Sequence, residues 1–156
     1  MLDFGNTLCE RSAVMNKNAE LLNYVYQNSQ MGINTVKQLL EMVDEGEFKD
    51  YLSDHLSGYE EINREARELL AVNGYDEKGL STLEKIATYV AVNMKTMTDK
   101  GRSHIAQMLI EGSNMGVVQG TKKLNDYQDA EHCAQRLMNK LVKFEEKNMQ
   151  ALKKFL

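Results

Sequence analysis

Proline is absent from this chain of 156 residues. Inside a helix, proline removes a backbone hydrogen bond and clashes with the preceding turn. Its absence means that nothing of that kind interrupts a helical pattern anywhere along the sequence. Long apolar runs are missing too. The longest uncharged apolar run, from Ile86 to Met94, falls far short of the roughly 20 apolar residues a membrane-spanning helix needs. No basic stripe is present. Acids and bases are mixed and the net charge is -4, which disfavours nucleic acid as a partner. Cysteine is scarce. Cys9 and Cys133 stand far apart and are expected to be free thiols in a reducing cytoplasm. Cys133 falls on an apolar stripe and is expected to pack as a small hydrophobe. From Met1 to Thr7 no basic stretch precedes a hydrophobic one, so no signal peptide is expected.

What is present is helical periodicity, with apolar residues recurring at three- and four-residue spacing. Leu22, Val25, Ser29, Gly32, Val36, Leu39, Leu40 and Val43 share a stripe on a first helix over about 16–44, which Asp44-Glu45-Gly46 ends. A second helix, 47–72, carries Leu52, Leu56, Tyr59, Ile62, Ala66, Leu69 and Leu70 and stops at Asn73-Gly74. A third, 82–98, starts at a capping box of Ser81 and Glu84. Its Ile86, Val90, Val92 and Met94 leave little polar face, so it is expected to be buried on most sides. A fourth, 104–124, follows a break at Asp99–Arg102 with Ser103 as its cap, and Asn125-Asp126 forms a hinge. A fifth, 127–155, has a seam of Ala130, Cys133, Ala134, Leu137, Leu141, Phe144, Asn148, Leu152 and Phe155. Residues 1–15 are expected to be a partly ordered extension, and 16–156 one domain. A domain of this size buries roughly 70% of the surface its unfolded chain exposes and needs no disulfide or metal to fold.

Four of these helices are long, and short loops favour antiparallel neighbours. The third is then part of a connection that crosses the bundle. The fold class is all-α: an antiparallel four-helix bundle with an extra short helix between the second and fourth helices. The order of elements resembles bacterial ferritin-like proteins, in particular an uncharacterised family of small four-helix-bundle domains. The carrying features are the Asp44-Glu45-Gly46 joint, the Asn73-Gly74 stop, the short apolar helix with Asn93-Met94-Lys95, the segment Ile110-Glu111-Gly112-Ser113, and the long last helix. The resemblance covers about 16–156 and implies a fold without a known activity.

Di-iron members of the ferritin-like class carry Glu-x-x-His on two helices, because residues three apart share a face and reach one metal pair. Here His55, His104 and His132 are preceded at that spacing by Leu52, Gly101 and Asp129. Only Asp129-x-x-His132 has suitable chemistry, so a di-iron role is disfavoured. Asp129 and His132 could instead share one divalent transition metal, with a third ligand such as His55 or Glu65 from another helix. A solvated acid in the first turn of a helix is the competing reading for Asp129. A structural hydrogen bond at the core's edge is the competing reading for His55.

Gly112, Gly116 and Gly120 recur every fourth residue inside a helix, where each costs roughly 0.5–1 kcal/mol relative to alanine. Close helix packing, room for bulky neighbours such as Tyr89, Met94 or Phe144, or a ligand cavity would each account for them. The methionines, including Met94, Met97, Met108 and Met115, are expected to fill the core rather than bind Cu(I). No phosphate loop, nucleophile elbow or Cys-x-x-Cys occurs. The sequence supplies no nucleophile or general base, so enzymatic activity is left open and not favoured. Three functions compete. One is a non-enzymatic bundle without a cofactor, acting through protein contacts as a homo-oligomer, most simply a homodimer. The second is a metal-dependent bundle using His55, Asp129 and His132. The third is a small-molecule carrier with an apolar cavity beside Gly112, Gly116 and Gly120.

Overall fold

A computed structural model describes residues 4–77, 83–98 and 101–156. Five α-helices follow in order, and no strand occurs among the described residues: α1 (Phe4–Met42), α2 (Glu47–Val72), α3 (Glu84–Thr96), α4 (Arg102–Asp126) and α5 (His132–Leu152). A 3-10 turn, Lys153–Phe155, closes the chain.

Glycine makes both ends of α2. Gly46 has φ 146°, a conformation that side-chain-bearing residues rarely adopt, and it reverses the chain after α1. Gly74 has φ 69°. Around it the Gly74 amide donates to the Ala71 carbonyl and the Tyr75 amide to that of Leu70, which satisfies the last carbonyls of α2. Glu47 and Asp50 stand in the first turn of α2, where a negative charge is favoured.

Side-chain pairs give the directions of the helices. Between α1 and α2, Gly32 lies against Tyr59, and Asn63 donates to Ser29. Between α2 and α5 the pairs run from Glu47–Lys154 through Tyr59–Glu145 to Glu65–Lys140. Between α4 and α5, Ser113 meets Glu145 while Gly120 meets Val142 and Met138. Each of these pairings is antiparallel, so α2 and α4 run in the same direction. The end of α2 and the start of α4 therefore lie at opposite ends of the molecule, and the connection carrying α3 spans its length. Leu83 and Ile86 join one apolar cluster, with Leu21, Ile62 and Leu137. Met94 and Met97, further along, pack against the other, with Leu52, Ile105 and Phe155.

Several boundaries differ from expectation. Helix α1 begins at Phe4, inside the segment read as an extension, because its backbone stays helical through the polar residues before Asn16. Asn125 and Asp126 belong to α4, and Ser103 is a helical residue with Gly101 in the capping position. Helix α5 starts at His132 rather than Tyr127. The Oδ1 atom of Asn18, on α1, accepts from the Glu131 amide at 2.6 Å and so caps α5 from another helix. No local signal reveals such a cap. Cys133, in the first turn of α5, is only half-buried, with its sulfur 3.8 Å from Glu131, and does not pack as a core hydrophobe. The largest difference is in α3, where only Ile86 is buried. The helix lies across the bundle surface, and Val92 is 54% exposed. Ser81 and the Asp99-Lys100 break lie outside the described residues, as does the side chain of Cys9.

Candidate functional site

Leu141, Glu145, Asn148 and Leu152 recur at helical spacing on α5, and all four are buried. The stripe that builds the core thus carries a carboxylate into it. Glu145 is 2% exposed. Its Oε1 accepts from the Tyr59 hydroxyl at 2.7 Å and its Oε2 from the Ser113 hydroxyl at 2.6 Å. Burial pushes its pKa up to about 7, although both hydrogen bonds pull it down. No lysine or arginine among the described residues offsets its charge. The surrounding phenols of Tyr24, Tyr51 and Tyr59 are all pushed up, chiefly by burial and further by Glu145, so they remain neutral.

His55, on α2, is buried one turn from Tyr59. Its ring stacks on the Tyr59 ring at 4.8 Å between centroids and meets the edge of Phe144 at 5.6 Å. Burial holds its pKa down at about 4, which makes it a neutral imidazole. The Asn148 amide nitrogen lies 2.9 Å from Nε2 and donates to it, so the ring proton belongs on Nδ1. That atom has no hydrogen-bond partner among the described residues. On the α1 side, Tyr24 donates to the Gly116 carbonyl at 3.0 Å, and Asn28 donates to Tyr24. A polar layer from α1, α2, α4 and α5 therefore separates the two apolar clusters.

Beside this layer is a cleft of about 40 Å³. Asn28, Thr35, Tyr59 and Ser113 supply its polar lining, and Val36, Ile86 and Met108 are among its apolar lining residues. All seven are buried, whereas Met31, Gly32, Val90 and Gly112 are partly exposed and form the mouth. Of the three spaced glycines, only Gly112 borders the cleft. A Cβ on Gly112 would meet nothing nearer than Val90 at 3.9 Å. A Cβ on Gly120 would lie 2.9 Å from Val142, and one on Gly116 3.1 Å from the Asn28 amide. These two are close contacts with α5 and α1. The bulky residues near Gly120 are Val142, Met138 and Tyr24, while Phe144 instead lies over Gly58. Gly112→Ala is therefore expected to raise stability by roughly 0.5–1 kcal/mol, read as a higher urea midpoint at unchanged slope.

His55, Asp129 and His132 are not brought together. Asp129 is exposed and pairs with Lys17 at 2.7 Å, which holds its carboxyl below the usual range. His132 is exposed at the start of α5. His55 contacts Asn148 near the other end of that helix, roughly 24 Å away at about 1.5 Å per residue. Among the described residues no group of three histidine, cysteine, aspartate or glutamate side chains could hold a metal ion. Sequence reasoning missed Glu145, Ser113 and Asn28. The signal for Glu145 was its place on the Leu141–Leu152 stripe. Ser113 and Asn28 gave no comparable signal, since small polar residues are common on any helix face.

Fold and site together define an all-α domain with a polar layer across its core and no helix, among the described residues, long and apolar enough to cross a membrane. No family model and no curated protein matches the chain. Its backbone is similar to the crystal structure of a DUF305 fragment from Deinococcus radiodurans, with a TM-score of 0.71 over 88% of this chain and 93% of that one. Identity is 12%, so the similarity concerns the fold alone. It places the chain beside a helical domain of unknown function.

Proposed function

We propose that this chain is a non-enzymatic ferritin-like bundle domain whose centre holds a small molecule instead of a metal pair. The observation that carries this reading is the cleft. It lies where four helices meet, it has a polar floor tied to a buried carboxylate, and Gly112 leaves its mouth open on the α4 side. Binding sites of this kind are concave and mostly apolar, with a few placed polar groups. Xenon tests the reading without a known ligand. Xenon-saturated buffer should shift the methyl resonances of Ile86, Val90 and Met108, and Gly112→Val should suppress the shifts. Unchanged resonances would reject the cleft as a site.

A second reading is that of a cytoplasmic homodimer acting through protein contacts, and α3 favours it. Ala91 and Val92 face outward on a helix that buries only Ile86. Sedimentation at micromolar concentration should give a dimer that Val92→Lys converts to monomer. A monomeric parent chain removes this reading.

A further inference from the structure

The chemistry of the cleft names its guest. The hydroxyl protons of Ser113 and Tyr59 are both committed to Glu145. What these groups retain for a guest is lone pairs. Asn28 donates one amide hydrogen to Tyr24, and its carbonyl oxygen is a further acceptor. With Glu145 ionised, the two hydroxyls of the polar floor thus accept hydrogen bonds from a guest and do not donate them.

Charge points the same way. Glu145 lies one hydrogen bond behind two residues that line the cleft. The ionisable groups packed around it are Tyr24 from α1 and Tyr51, His55 and Tyr59 from α2, all neutral for the reasons given above. The α4 contribution is the hydroxyl of Ser113. A carboxylate buried without a cation is costly, and a cation brought beside it would relieve that cost.

We propose that the cleft binds a primary alkylammonium group, with the nitrogen against the Ser113, Tyr59 and Asn28 oxygens and the alkyl chain leaving between Met31 and Val90. This rests on the small-molecule reading above and names the chemical class of the ligand. A water molecule needs about 10–15 Å³ of such space, so the cleft admits a head of roughly two or three heavy atoms and the remainder must extend through the mouth.

The experiment is an NMR titration of the full chain with n-butylammonium chloride to 50 mM at constant ionic strength, set against 1-butanol and sodium butyrate. The expected result is saturable shifts at Ser113, Tyr59 and Gly112, with n-butylammonium bound at least fivefold more tightly than 1-butanol and butyrate not bound. The preference should be larger at pH 8.5 than at pH 5.5, because the ligand pairs with ionised Glu145. Glu145→Gln should abolish the preference while leaving the fold intact by circular dichroism. If that variant does not fold, Gly112→Val, which blocks the mouth without touching the carboxylate, should weaken binding at least tenfold. Equal binding of n-butylammonium and 1-butanol would overturn the ammonium assignment and leave the small-molecule reading standing. No saturable shift with either compound, together with silent xenon, would remove both.

Discussion

Replacing Glu145 by Gln should make a nearly flat stability profile steep. Two buried groups with opposite shifts share the centre of the bundle. Glu145 is raised from 4.5 to about 7 by burial. The stability tied to its protonated form is complete below about 4.5 and is lost as pH rises through about 7. His55 is lowered from 6.5 to about 4 by burial. The stability tied to its neutral form is present above about 6.5 and is lost as pH falls through about 4. Between these limits the folded chain holds its proton on Glu145 and the unfolded chain holds one on His55. The numbers of bound protons match, so stability hardly changes with pH. Each shift corresponds to about 3 kcal/mol, at about 1.4 kcal/mol per pH unit. Glu145→Gln removes one arm. Relative to the parent, it should gain about 2–3 kcal/mol between pH 5 and pH 8. The new amide can donate to Ser113, whose hydroxyl rotates to accept it. His55→Gln should show the converse, losing stability against pH over the range where Glu145 ionises. Urea denaturation at a series of pH values measures both, and profiles parallel to the parent in both variants would refute the pairing.

Gly32→Ala should destabilise the fold by about 1–2 kcal/mol, although helix propensity alone favours alanine by roughly 0.5–1 kcal/mol. The added Cβ would lie 2.5 Å from Cζ of Tyr59. That ring cannot easily withdraw. Its hydroxyl is bonded to Glu145 and its other neighbours are His55 and Phe144. In a Tyr59→Leu background the obstacle is gone, and Gly32→Ala should become neutral or stabilising. The double-mutant cycle should therefore give a coupling of about 1–3 kcal/mol, and additive effects would show that the ring moves freely. Gly58→Ala presents the same geometry against Phe144, with 2.3 Å to Cε2, but Phe144 is only half-buried and its ring can swing outward. Its penalty should be smaller than that at Gly32.

The helices themselves were readable from residue spacing. The stripe from Leu52 to Leu70 and the glycines at 46 and 74 place α2 at Glu47–Val72, because periodicity and turn residues are local quantities. The start of α5 was not readable, since its cap is Asn18 on a helix more than a hundred residues away. The burial of α3 was misjudged for a related reason. Composition tells how apolar a helix is, but not how many neighbours it meets, and α3 meets mainly α4 and one edge of the core. Among candidate sites, Asp129 and His132 carried the recognisable spacing and lie exposed at one end of α5. Glu145 was hidden in plain sight on the core stripe, where a carboxylate looks like an interruption of the pattern.

Sequence by itself determined that the chain is helical and where most turns fall, because hydrogen bonding and apolar spacing within a helix involve residues at most four apart. Only the tertiary structure decided that Glu145, Tyr59, Ser113 and His55 meet, that Gly112 borders open space while Gly120 is filled, and that α3 is exposed. Those outcomes depend on which faces of separate helices are pressed together, and burial, with the charge states it imposes, exists only after that packing.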